Sequence, residues 1–410
     1  MVLNYIWIAF FIIAFAVALI KFILFGDMEV FPAIVNSTFS SAKTGFEVSL
    51  GLTGALTLWM GLMKIGEKAG AIHFLSKIIG PFFSRLFPEI PKNHPALGQI
   101  LLNFSANMLG LGNAATPLGL KAMQSMQELN PDKERASNAQ IMFLVLNTAG
   151  LTLIPVSIMA IRAQQKAIDP TDVFVPILIT TYCATIGGLL VMAVRQKINL
   201  LDKILLSWLV ALTAIIIGII YFFASLPPEQ KGQVSNSAGN IILFTVIVSF
   251  IIAGLIKKIN VYDAFIEGAK EGFSTVIKII PYLVAMLVGI GVFRACGAMD
   301  YFIQGITYCI ASMGLNTDFT PALPIAFMKP LSGGGTQGLT IDAIKTYGVD
   351  SFIGRLASIM YASADTTFYI VALYFGSVGI RKTRYAITAG LIADLFGIIA
   401  AIGVAYLFFH

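Results

Sequence analysis

The chain has 410 residues, of which 57% are hydrophobic and 12% charged, with a net charge of +6 and a mean hydropathy of +0.85. A soluble domain carries about 25% charged residues, so almost none of this chain can be one. No Lys/Arg block is interleaved with aromatics, which argues against a nucleic-acid partner.

Segments 4–24, 204–224, 241–256 and 386–409 are nearly free of charge. A helix needs about 20 apolar residues to cross a hydrocarbon core of ~30 Å. The third run is short and recruits Ser237–Asn240. The runs are too uniformly apolar for barrel strands, so they are read as membrane-spanning helices. The first run has no basic residue before it and no small-residue cleavage site after it, and it reads as a retained helix. Cys183, Cys296 and Cys309 lie in apolar segments and read as inert thiols. His73, His94 and His410 are scattered without metal-ligand spacing, so neither a metal nor another cofactor is expected.

The chain repeats. Ala42-Lys43-Thr44-Gly45-Phe46 matches Ala269-Lys270-Glu271-Gly272-Phe273, and Gly70-Ala71 matches Gly297-Ala298, both at an offset of 227. Each copy continues with an amphipathic stretch, a Pro-rich bend, a Gly-rich polar break, a helix with a polar centre and a plain apolar helix. The expected organisation is a first unit over 1–200, a linker with an extra transmembrane helix over 201–236, and a second unit over 237–410. The fold class is an all-α polytopic membrane protein: two repeated helical units with broken or re-entrant helices, transporter-like. Arg195, Lys197 and Lys203, then Lys257, Lys258 and Lys270, then Arg381, Lys382 and Arg384 form three basic clusters, whereas 226–240, read as a polar loop, holds only Lys231. The positive-inside rule puts the clusters in the cytoplasm and the C-terminus outside a cell membrane. Whether the units are parallel or inverted is open at this point.

Two segments resist reading as plain helices. Asn103–Pro117 carries three Asn, two Gly, a Ser, a Thr and a Pro; Lys329–Gly338 carries three successive Gly. Glycine costs a helix about 1 kcal/mol each, so both are expected to be breaks with released backbone groups. Such groups are tolerated at membrane depth only inside protein or against a water-filled cavity, and paired interruptions in two halves point to a transporter binding site. The helix after each break has a polar centre: Asn147, Thr148 and Thr152 in the first, Ser363, Asp365, Thr366 and Thr367 in the second. A charge at the bilayer centre costs about 2.5–3.5 kcal/mol, so Asp365 is expected to pair with Lys329 or Arg355, bind a driving cation, or exchange a proton. Lys64, Glu67, Lys121 and Asp394 read as snorkelling or packing residues.

Asn103–Met123, with Asn147-Thr148 and Leu153-Ile154-Pro155, resembles spore maturation protein A. Glu267–Phe273, Ile280–Met286, Lys329–Gly335 and Ala364–Phe368 resemble spore maturation protein B, with departures at Lys329, where the motif carries Arg, and near Gly334, where it carries Ser. The resemblance covers most of both halves and implies a fusion of the two. It implies membership of the nucleoside-recognition, or Gate, membrane proteins, with kinship to concentrative nucleoside transporters and to the membrane part of bacterial ferrous-iron transporters. It does not imply a nucleoside substrate.

The leading expectation is a secondary transporter of a small polar solute, nucleoside-like or amino-acid-like, coupled to H⁺ or Na⁺. Its solute site would comprise Asn103, Asn107, Asn113, Thr116, Asn147, Thr148, Ser332, Thr336, Gln337 and Ser363, and its ion-coupling site Asp365, Thr366, Thr367 and Lys329, with no catalytic residue. The lipid bilayer, the solute and a second copy in a homo-oligomer are the expected partners. A scaffold for envelope or spore construction would instead show a closed, dry centre. An intramembrane enzyme would show an acid–base or nucleophile–base pair beside a cavity.

Overall fold

The computed structural model describes residues 2–91 and 93–410, without the side chains of Val2, Leu3, Gly112, Asn113, Pro228 and Glu229. Seventeen α-helices form among the described residues. The first eight are α1 (Val2–Phe25), α2 (Val30–Ala69), α3 (Ala71–Leu86), α4 (Pro95–Met108), α5 (Gly112–Leu129), α6 (Asn138–Ala149), α7 (Val156–Gln164) and α8 (Phe174–Gln196). After α9 (Lys203–Ser225) the same series returns as α10 (Pro228–Ile256), α11 (Val261–Ala295), α12 (Ala298–Ser312), α13 (Leu323–Met328), α14 (Gly333–Tyr347), α15 (Phe352–Ala362), α16 (Thr367–Ser377) and α17 (Ala386–Phe409). Eight segments are long and apolar enough to cross a membrane, so this is a multi-pass membrane protein seated in a lipid bilayer.

The repeat is visible in single residues. Gly70 ends α2 at φ +90° and Gly297 follows α11 at φ +86°, each in the left-handed conformation that favours glycine. These are the two glycines that the 227-residue offset pairs.

Packing decides how the units are related. A Cβ on Gly45 would lie 2.9 Å from the Cα of Val284, and one on Gly272 would lie 2.8 Å from the Cα of Thr57. Shifting the first pair by 227 residues gives the second, so one contact is made twice. Gly268 against Lys64 and Gly291 against Ser41 form another such pair. Residue numbers rise along α2 as they fall along α11, so the equivalent helices run antiparallel. Helices α8 and α17 repeat the pattern: Cβ atoms on Gly188 and Gly397 would each lie 3.2 Å from a methyl group, of Ala393 and Ala184 respectively. The units are therefore inverted about a pseudo-two-fold axis, held where missing side chains let backbones approach.

Charged residues lock the α2–α11 crossing. Lys64 pairs with Glu67, Glu267 and Glu271 at 3.4, 3.6 and 3.1 Å. At one end of the bundle the α5–α6 loop docks on the α16–α17 loop, where the carbonyl of Glu134 accepts from the backbone of Arg381 and Lys382 at 2.9 Å each. At the other end Arg162 reaches Asp172 at 2.8 Å and Asp350 at 3.2 Å, and Arg355 reaches Asp172 at 2.7 Å. Gln196 donates to the Tyr385 hydroxyl and Arg85 pairs with Asp202, while α10 runs from Thr171 to the end of α2. All three basic clusters thus share one end.

Segment 226–240 is not the expected polar loop, because α10 begins at Pro228. Its polar groups are satisfied sideways: Ser235 donates to the carbonyl of Asp172, and Thr171 meets Asn236 and Asn240.

Gly272→Leu is expected to lower the unfolding midpoint of the purified protein, since overpacking costs about 1–3 kcal/mol and its first obstacle is backbone. Gly54→Leu, with nothing within 4 Å of its Cβ position, is the control and leaves the midpoint in place. Equal effects would reject the glycine crossing as the determinant.

Candidate functional site

Each unit inserts a helical hairpin. In the first, α4 and α5 fold back at Leu109–Leu111, with Gly110 at φ +75° and no room for a Cβ beside the carbonyl of Ile154, 2.8 Å away. The break is thus three residues long, not the whole of Asn103–Pro117. A short turn releases few polar groups, and the N–H groups of Gly110 and Leu111 are recaptured by Asn107 and Ala106 at 2.9 and 2.8 Å. Asn103 sits inside α4 and laces the hairpin by donating to the carbonyl of Ala115 at 2.8 Å.

The second hairpin turns at Lys329–Ser332, between α13 and α14. Its three glycines are the first turn of α14 rather than the break itself. Ser332 caps that turn by accepting from the N–H of Gly335 at 3.0 Å. The Gly335 Cβ position lies 2.9 Å from Met328 and 3.1 Å from Met286, so close packing outweighs the helix penalty there.

The helices that follow are broken as well, where the sequence pointed only to polar centres. Helices α6 and α7 part at 150–155, and α15 and α16 part at 363–366. Each hairpin tip takes up an N–H released by its own broken helix: Leu153 donates to Met108 at 2.8 Å and Phe368 to Pro330 at 3.0 Å. The two breaks also join, through Asp365 N–H to the Thr148 carbonyl at 2.7 Å.

All four interruptions meet at one cavity of about 240 Å³, lined by Asn107, Asn147, Gly150, Lys329, Tyr361 and Asp365 among others. Asn107 donates to Asn147 at 2.7 Å. Lys329 is 6% exposed; its Nζ donates to the carbonyl of Tyr361 and lies 5.1 Å from that ring's centroid. Asp365 is exposed to the cavity and accepts from the N–H of Thr366 at 2.7 Å. It forms no ion pair among the described residues. The expected partner Arg355 is held by Asp172 at 2.7 Å, and Lys329 stays with Tyr361.

A second cavity of about 680 Å³ lies on the other side of Asp365 and takes in Ser332, Gln337 and Thr366. Gln337 also lines a third, of about 220 Å³, between α2, α11 and the first hairpin tip. The remaining candidates whose side chains are described line none of the three. Thr336 is buried and donates to the carbonyl of Ser332 at 2.6 Å, and Ser363 donates to Met360 at 2.8 Å. Thr367 donates to Asp394 at 2.6 Å. Asn103 and Thr148 are fully buried, and Thr116 is half-buried on α5. The side chain of Asn113 lies outside the described residues.

Sequence reasoning missed Tyr361 and Arg162, whose roles depend on partners far along the chain. It also set Asp394 aside as snorkelling or packing, although Asp394 is 2% exposed in mid-α17. The signal was present: Asp394 is the lone charge in 386–409.

This inverted pair of hairpin and broken helix coincides with a family match. The nucleoside-recognition (Gate) model matches residues 49–165 and 276–381, over half of the chain and once in each unit. The chain belongs to the Gate family. Among curated relatives, spore maturation protein A of Bacillus subtilis (strain 168) is 40% identical over 188 residues, 46% of this chain and 92% of the relative. Spore maturation protein B of the same organism is 44% identical over 164 residues, 40% of this chain and 90% of the relative. No solved structure matches. This Gate protein is thus similar to two separate proteins, each about half its length.

Removing one partner of a buried ion pair costs about 3–5 kcal/mol, so Asp172→Asn is expected to destabilise the protein strongly, Asp172 being 3% exposed between two arginines. Asp365→Asn is expected to stay within about 0.5 kcal/mol, as exposed substitutions do. Denaturation of both variants in one detergent checks the contrast, and a collapse of Asp365→Asn would restore a structural ion pair.

Proposed function

We propose that this Gate protein is a secondary transporter for a small polar solute, bound where the four breaks meet and coupled to H⁺ or Na⁺. One observation carries the reading: an ammonium and a carboxylate, Lys329 and Asp365, line one cavity without pairing, beside the amides of Asn107 and Asn147. Opposite charges held apart fit a solute that bears both signs, with amides to orient it. The inverted hairpins support alternating access, one entering from each side of the membrane. The lining suits holding a solute rather than transforming it, so we read a carrier and not an enzyme. The basic end faces the cytoplasm of the cell membrane by the positive-inside rule, which leaves the C-terminus outside.

A thermal-shift panel of amino acids, nucleosides, polyamines and organic acids tests this. A ligand at 100 times its dissociation constant stabilises by about 2.7 kcal/mol. A zwitterion is expected to shift the native protein, and the shift is expected to vanish in Lys329→Met and in Asp365→Asn. Cysteines placed at Asn107, Asn147 and Gln337, after replacement of Cys183, Cys296 and Cys309, are expected to react with a small polar thiol reagent and to be protected by the same solute. A panel without any shift, together with three inert cysteines, would reject the reading.

A further inference from the structure

The carboxyl of Asp394 is tied by one hydrogen bond to the start of α16, where the chain leaves the α15–α16 break. Its Oδ2 accepts from the hydroxyl of Thr367 at 2.6 Å, the first residue of α16 after the break. Its Oδ1 has no partner among the described residues, and neither has the hydroxyl of fully buried Thr148. Both threonines lie against one turn of α17: a Cβ on Gly390 would be 3.2 Å from the Thr367 hydroxyl and 3.6 Å from the Thr148 methyl. The charged groups that face Asp394 are Lys329, from the second hairpin, and Asp365, from the break. Neither makes an ion pair with it among the described residues. Helices α6 and α8 and the α15–α16 break bring Thr148, Ala184, Gly188 and Ser363 against this stretch, and none of these titrates. Helices α9 and α10 meet α17 farther along, at Phe408 and Leu407.

Packing does not require an acid here. The reciprocal contacts of Gly188 with Ala393 and of Gly397 with Ala184 set the register of α8 on α17. That register, an offset of 209, places Thr185 of the first unit at the position of Asp394. An ionised carboxylate in such surroundings, with one donor and no counter-charge bonded to it, is costly, and a buried acid escapes the cost by neutralising.

We propose that Asp394 is the binding site of the coupling proton, and that gain or loss of this proton sets the conformation of the α15–α16 break through Thr367. The inference rests on the transporter reading and adds to it the identity of the coupled ion. In the loaded state a proton on Oδ1 makes the group a neutral acid, and Thr367 stays bonded to Oδ2. Release returns the proton to water and leaves a carboxylate that demands a further donor, and the unpartnered hydroxyl of Thr148 lies against the same turn of α17. A proton needs only the carboxylate itself, whereas a metal cation needs several oxygen ligands.

Infrared spectroscopy of the full chain in liposomes tests the site without knowledge of the solute. A protonated carboxylic C=O band is expected at neutral pH, lost in Asp394→Asn, kept in Asp365→Asn and moved in frequency by Thr367→Val, which removes the donor. The last variant keeps the test decisive if Asp394→Asn fails to fold. Hydrogen–deuterium exchange over 360–368 provides the coupling readout: protection relative to Asp394→Asn is expected to be lost as the pH is raised through the loss of that band. Absence of an Asp394-dependent band would overturn the proposal. So would a band with an exchange profile like that of Asp394→Asn, which marks a structural acid, or protection that follows Na⁺ and not pH. Each of these outcomes leaves the solute panel to stand or fall separately.

Discussion

The rest of the structure depends on one constraint: backbone groups released at membrane depth must find partners inside the protein. Four helices are interrupted here, and each interruption is tolerable because another lies beside it. Met108 and Pro330 at the hairpin tips accept from Leu153 and Phe368, and Thr148 accepts from Asp365 across the two units. None of the four breaks is satisfied alone. The cavity follows from this arrangement, since chain that has left a helix leaves space and unspent hydrogen-bonding capacity at the same place. The Gate family match in both units fits a site built jointly by two copies of one motif.

Inversion explains why the centre is asymmetric in chemistry while symmetric in fold. The long crossing of α2 on α11 and that of α8 on α17 repeat the same glycine contacts in both directions. Docked loops and buried charges then tie the two ends of the bundle, with backbone bonds at Glu134 on one side and the Arg162–Asp172–Arg355 network on the other. Such a frame leaves each unit free to differ where the copies meet. The first supplies Asn107 and Asn147 and the second Lys329, Asp365 and Asp394. Neutral donors thus face titratable groups across the axis.

Much of the candidate site was legible in the chain. Asn107, Asn147, Lys329 and Asp365 all lie in segments whose polarity is out of place in a membrane, and they share one cavity. Ser332, Gln337 and Thr366 gather in the neighbouring one. Thr336 and Ser363 look the same in sequence, yet both turn back to a carbonyl of their own helix. Polarity marks a residue that needs a partner, and it does not say whether that partner is local backbone or a solute. The glycines of 333–335 misled for a related reason: helix penalty is local, while the close approach of Met328 and Met286 to Gly335 is not.

Composition and hydropathy determined that the chain lives in a bilayer, and segments matched at a 227-residue offset determined that it holds two copies of one unit. These properties are local or periodic, so no distant contact can change them. Tertiary structure alone decided that the copies are inverted, that the second polar helix of each unit is broken, that Arg355 belongs to Asp172, and that Asp394 is buried behind Thr367. Each of these turns on which residues far apart in the chain come within a few ångströms, and packing in three dimensions sets that.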